Sequence, residues 1–236
     1  KSKFMDYQDP ISSIHINVEG MLTYNALLFI PKKPMFDFNN TNERGLQLYT
    51  KGVFILDKCK DLIPEYLRFI KGLVDSADLP LNISREMLQE DKAIKKIASN
   101  VEKRILSDLG RMLKNDRENY ESFFKTFGVQ LKYGVYNNYG ADKDKLKDLV
   151  MFYSSKHEKL VTLKEYVEKM KEGQEKIYYA SGSSIEKVNS LPQVEKVKDK
   201  DFDILYLTDY VDEFAITSIQ KYEDKAFQNV ESGDLD

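Results

Sequence analysis

One cysteine, Cys59, two histidines, His15 and His157, and no tryptophan occur in 236 residues. A single thiol excludes an internal disulfide framework and cannot by itself form a structural zinc site. The two histidines lie far apart in sequence, and neither has a Cys or His companion at ligand spacing, so no metal is expected. No stretch approaches the roughly 20 apolar residues of a membrane span, and the first residues lack the apolar core of a signal peptide. Also missing are the Gly-x-x-x-x-Gly-Lys-Ser/Thr loop and the Gly-x-Gly-x-x-Gly fingerprint, so the chain has no recognisable nucleotide cradle of its own. Gly182-Ser183-Ser184 is only a loose likeness of a phosphate-binding turn. No Gly-x-Ser-x-Gly nucleophile elbow occurs, and no pair among the 39 Asp and Glu residues is marked out as an acid–base dyad. An excess of one charge is absent too. The 36 Lys and Arg leave a net charge of −3, which argues against a general nucleic-acid or membrane-surface role.

What is present is a globular composition, 42% hydrophobic and 32% charged, on a chain long enough for one large domain or two modest ones. Ile14, Ile16 and Val18 alternate with His15 and Asn17, the period of a half-buried strand. Glu19-Gly20 turns the chain into a second strand, Leu22 to Ile30, and Pro31 ends this hairpin. A loop with Met35, Phe36 and Phe38 follows; those side chains are either tucked on the core or form an interaction patch. Leu48-Tyr49 and Val53 to Leu56 predict a strand pair around Gly52. From Asp61, the spacing of Leu62, Ile63, Tyr66, Leu67, Ile70, Leu73 and Val74 predicts a helix with Pro64 in its first turn. A longer helix carries Ile94, Ile97, Val101, Ile105, Leu109 and Met112 on one face. Another, from Asp116, carries Tyr120, Phe123, Phe124 and Phe127 and stops at Gly128. The stretch 132–144 reads as a loop, and Leu146, Leu149, Val150 and Tyr153 as a short helix. Thr162-Leu163-Lys164-Glu165 matches a capping box. Lys176 to Ala180 reads as a strand, Ser184 to Asn189 as a helix interrupted after its end by Pro192, and Phe202 to Leu207 as a buried strand. That succession suits a parallel βαβ unit. A closing helix over Asp209–Tyr222 and an edge segment at Phe227–Val230 complete the chain. The expected class is α/β: an αβα sandwich over 1–114, a helical connector over 115–148, and a smaller αβα unit over 149–236.

The chain is organised around Asp78 to Gln89. Pro80 disfavours helix before it, and Ser84 can cap the helix that follows. Arg85 then falls in the first turn, where a guanidinium beside free backbone N–H groups can grip an anion. An ordinary exposed arginine on a loop is the other reading.

The string Leu79 to Gln89, preceded by Tyr66 to Ser76, closely resembles the middle domain of the ninety-kilodalton heat-shock chaperone family, in its bacterial form above all. Val18-Glu19-Gly20, Leu28-Phe29-Ile30-Pro31, Leu48-Tyr49, Val53-Phe54-Ile55 and Met170 to Tyr179 match further stretches in the family's order. The resemblance implies that Arg85 reaches the γ-phosphate of Mg-ATP held mainly by a separate N-terminal domain. Asn82 and Gln89 then shape the loop or contact phosphate and water. It further implies a surface for unfolded or partly folded client proteins near Phe36 and Phe38 and near Glu213 and Phe214. Family members often carry Trp at the position of Phe214, which weakens the assignment there. Implied partners are the protein's own N-terminal ATPase domain, clients and co-chaperones, with no nucleic acid and no membrane. A homodimer is expected only in the full-length protein, and the setting is cytoplasmic. The opening Lys1, in place of an initiator Met, is what an excised segment would show. Such a segment alone is expected to bind no cofactor and hydrolyse no ATP. The competing function is a binding module for clients or co-chaperones with no part in catalysis.

Overall fold

The computed structural model describes residues 9–34, 44–80, 88 and 91–232. The chain is mixed α/β and divides into two units, Lys1–Gln130 and Leu131–Asp236.

In the first unit the strands are β1 (Ser12–Val18), β2 (Tyr24–Ile30), β3 (Leu46–Thr50), β4 (Val53–Cys59) and β5 (Lys71–Ser76). They form one sheet in the order β1-β2-β5-β3-β4. Alternation dictates its two faces: Tyr24, Ala26, Leu28 and Ile30 of β2 are buried, while Asn25 and Leu27 between them are exposed. The predicted β1–β2 hairpin is present, with Ile14 opposite Leu28, and β3–β4 pair around Gly52.

The helix expected from Asp61 to Val74 does not form. Two short 3-10 turns, Lys60–Leu62 and Glu65–Leu67, lead instead into β5. Those turns bury Leu62, Ile63, Tyr66, Leu67 and Ile70, so the apolar spacing is satisfied without a helix. β5 lies at the sheet centre, antiparallel to β2 and parallel to β3. Gly72 makes that position possible. Its φ is +146°, and a Cβ there would meet the Leu27 carbonyl oxygen at 2.2 Å.

Helix α1 (Lys92–Asn115) is capped by Asp91, whose side chain accepts from the N–H of Ala93 and Ile94. Ile94, Ile97, Val101, Ile105, Leu109 and Met112 are its buried residues, joined by Asp108. The Ser84 cap lies outside the described residues. Helix α2 (Arg117–Gly140) does not stop at Gly128. There a Cβ would meet the Phe124 ring at 2.6 Å, so this glycine makes room for an aromatic side chain instead of ending a helix. Phe69 packs on Phe123 and Phe127 at ring separations of 5.4 and 4.8 Å, and these contacts bury the aromatic face of α2 within this unit.

The division between units falls inside α2. The segment 132–144, expected as a loop, is helical as far as a break at Asn137, Asn138 and Tyr139. A single turn, α3 (Lys143–Leu146), follows. Tyr153 then belongs to strand β6 (Met151–Ser154) and not to a helix, because Met151 to Ser154 pair with β7 (Lys159–Thr162). Helix α4 (Leu163–Glu168) carries both halves of the Thr162–Glu165 capping box. After it come β8 (Ile177–Ser181), α5 (Ile185–Asn189), α6 (Pro192–Asp199), β9 (Ile204–Leu207), α7 (Asp212–Ile219), β10 (Lys221–Tyr222) and β11 (Lys225–Asn229). Pro192 opens α6 at its first position, where its missing N–H costs nothing. The sheet order is β10-β11-β8-β9-β6-β7, so β11 is interior and β10 takes the edge. The β8–β9 connection through α5 and α6 is the predicted parallel βαβ unit. Val188, Val194 and Val197 of that crossover pack with Ala180, Ile204 and Tyr206 of the sheet. All four residues of β9 are buried, as a strand covered on both faces requires.

Candidate functional site

Two places carry the predicted site residues. The first is the stretch after β5. Arg85, Asn82 and Gln89 lie outside the described residues, as do Phe36 and Phe38. What is described is how the stretch is held at each end. Leu79 and Leu88 are each 2% exposed. At the entry, the Thr23 N–H donates to the Asp78 carboxylate at 2.5 Å, and the Ala77 N–H donates to the Thr23 carbonyl at 3.1 Å. At the exit, the Asp91 N–H donates to the Leu88 carbonyl at 3.3 Å before Asp91 caps α1. The described residues on either side, Leu79 and Leu88, are therefore buried in the first unit, with a tie to Thr23 at the entry.

The second place surrounds α7 in the other unit. Ala215, Ile216 and Ile219 bury one face of this helix, leaving Glu213 exposed and Phe214 59% exposed on the other. Asp212 roots its N-terminus. One carboxylate oxygen accepts from the N–H of Thr208 and Asp209, each at 3.0 Å, and the other faces the Lys132 ammonium at 2.6 Å. Lys132 is a second anchor. Its side chain is 4% exposed, reaches Asp209 at 2.9 Å, and lies 4.8 Å from the Phe152 ring centroid. Burial pushes the Asp212 carboxyl above the ordinary aspartate range, against the pull of Lys132 and the backbone donors. Ser218 fastens the helix farther along, its hydroxyl donating to the Val135 carbonyl at 3.1 Å.

Phe214 does not stand alone. Its ring centroid is 5.3 Å from that of Tyr136, and Tyr136 is 5.4 Å from Tyr133. Tyr210 is 78% exposed, and its hydroxyl joins burial and Tyr133 in raising the pKa of Tyr136. Glu213 helps burial raise the pKa of Tyr179. Sequence reasoning named Glu213 and Phe214 but missed the tyrosines and Lys132. The signals were the three-residue spacing of Tyr133, Tyr136 and Tyr139 and the four-residue spacing of Tyr210 and Phe214. Among the described residues, no group of three or more His, Cys, Asp or Glu is placed to hold a metal, and no helix is long and apolar enough to cross a membrane.

The middle domain of a Plasmodium falciparum heat shock protein superposes on this chain with a TM-score of 0.81 at 32% identity, covering 98% of this chain and 92% of that one. The architecture is thus that of a heat-shock-protein middle domain. The profile of the family described as Hsp90 protein matches residues 1–236. The chaperone protein HtpG of Bacillus subtilis is 53% identical over 234 residues, 99% of this chain, and that of Clostridium acetobutylicum 55% identical over the same length. The chain belongs to the Hsp90 family. It spans 37% and 38% of the length of those two relatives.

Proposed function

We propose that this chain is the middle segment of an ATP-driven molecular chaperone of the reducing cytoplasm, with two tasks. Arg85 reaches the γ-phosphate of Mg-ATP bound by a separate N-terminal domain, and the surface around Phe214 holds partly folded client chains. The observation that supports the first task is that Leu79 and Leu88, described residues on either side of Arg85, are both buried. A cation that must meet a phosphate on another domain benefits from supports fixed to a core. A guanidinium at the γ-phosphate stabilises charge that builds in the transition state, within one chain in place of a second protein. Asn82 and Gln89, on the same stretch, shape the loop or contact phosphate and attacking water. For the second task, exposed aromatic side chains beside carboxylates suit weak contacts to incompletely folded chains.

The test is ATP turnover and ATP affinity of the full-length protein carrying Arg85→Ala. Turnover should fall about a thousandfold or more while affinity stays nearly intact, which places Arg85 at the transition state. Unchanged turnover would reduce the segment to a binding module for clients or co-chaperones.

A further inference from the structure

Helix α1 carries charge of one sign on its solvent face, where no exposed residue is acidic. Its two carboxylates are both engaged. Glu102 accepts from the Tyr66 hydroxyl, and Asp108, 7% exposed, accepts from the Ser12 hydroxyl at 2.7 Å and pairs with Arg111. The carboxylates at the two ends are engaged as well. Asp91 caps the N-terminus, and Asp116 accepts from the Asn119 side chain at 2.8 Å. Lys92, Lys95, Lys96, Lys103, Arg104 and Lys114 remain, all exposed and with no ion-pair partner among the described residues. Composition does not explain this, since the chain has 39 Asp and Glu against 36 Lys and Arg. Other helices pair their cations one turn away, Arg117 with Glu121 on α2 and Lys164 with Glu168 on α4. On α1, Lys92 has Lys95 and Lys96 at those spacings, where like charges repel.

These cations form a line. At about 100° per residue, Lys92, Lys96, Lys103 and Lys114 fall within about 40° of one another, and the line runs about 33 Å along the helix. The exposed Ser99 and Ser107 stand beside it. The line is one helix wide, and the rest of the chain is net negative. A membrane surface or a nucleic-acid duplex, broader than one helix, would also meet that negative remainder. α1 contains no aromatic residue, so the bases of a single strand have nothing to stack on. What fits is a thin, flexible chain of closely spaced anionic groups without bases. Phosphate meets this better than carboxylate. An acidic polypeptide must order a side chain for each charge it brings, whereas each unit of a polyphosphate carries its charge on the chain itself, and lysine binds phosphate as a point charge.

We propose that the solvent face of α1 binds linear polyphosphate, laid along the helix from Lys92 toward Lys114. The probe is end-labelled long-chain polyphosphate, and its affinity for the full-length protein is measured by fluorescence anisotropy across a salt series. ADP is present throughout to occupy any nucleotide site. Tripolyphosphate, too short to span the line, should compete about tenfold or more weakly than the unlabelled long chain. Lys96→Gln with Lys103→Gln should weaken binding about tenfold or more and lower the slope of log affinity against log salt by about two. Lys187→Gln with Lys196→Gln, two exposed lysines of the second unit, changes the net charge equally and should leave affinity and slope nearly unchanged. Equal losses in the two double variants would mean diffuse attraction to the whole surface and overturn the proposal, as would no binding at low salt. If polyglutamate of matched charge binds as tightly as polyphosphate, the face takes an acidic polypeptide and the phosphate assignment is wrong.

Discussion

Cys59 closes β4 opposite Leu46, with no exposed surface. Burial pushes its thiol up from 9.0 to about 11. The unfolded chain therefore ionises this group at lower pH than the folded one. Its contribution to stability is complete below about pH 9 and is lost as pH rises toward 11. Relative to Cys59→Ala, the wild-type protein should lose about 2–3 kcal/mol between those limits, read as the difference in urea midpoints across the pH series. Parallel midpoints in the two proteins would show that the thiol ionises freely in the fold. The same residue-scale logic explains Lys132, a charged side chain at the centre of a buried cluster. An ammonium is tolerated there because Asp209, Asp212 and the Phe152 ring surround it. Removing it would leave the buried Asp212 carboxylate without its cation at the start of α7, which makes Lys132 a positioning residue for that helix.

At the scale of elements, β5 decides how the Arg85 stretch leaves the core. Gly72→Ala places a methyl group against the Leu27 carbonyl and the Leu28 Cα, at 2.2 and 2.8 Å. Neither backbone atom can yield without separating β2 from β5. The expected cost is about 3 kcal/mol or more, measured by denaturant unfolding, and a loss below about 1 kcal/mol would mean that the strand shifts freely. This element is also where sequence reasoning erred. Leu62, Ile63, Tyr66, Leu67 and Ile70 have helical spacing, yet short 3-10 turns bury them equally well. Leu73 and Val74 became strand because β2 and β3 offered pairing on both sides, and no local pattern reports such partners. Gly128 misled in a related way. A glycine in a helical run reads as a stop, but here it accommodates the Phe124 ring. Where the signal is local, sequence and structure agree. The Thr162–Glu165 capping box forms as its spacing requires, and the alternation in β1 and β2 produces the hairpin.

At the scale of the molecule, the absence of a phosphate-cradling motif and the place of Arg85 in the proposed mechanism lead to one expectation. The isolated chain, supplied with ATP up to about 1 mM, should show neither turnover nor saturable binding by calorimetry. The full-length protein should show both. Saturable binding to the isolated chain would mean that it contains a nucleotide site of its own.

The sequence carries the family resemblance openly, because matching stretches recur in order from Val18 to the Met170–Tyr179 run. It also determined the α/β class, the first hairpin and the parallel βαβ unit, since those follow from side-chain period and capping over a few neighbouring residues. It pointed to Arg85 and Phe214 as single residues. The place of β5 between β2 and β3, and the burial of Leu79 and Leu88, come from the fold. The fold also brings Lys132 within reach of Asp209, 77 positions away, and the Tyr136 ring to 5.3 Å from that of Phe214. The physical reason is distance along the chain. Contacts between remote segments are chosen by shape, burial and charge in the folded state, and those leave no periodic mark in a local sequence window.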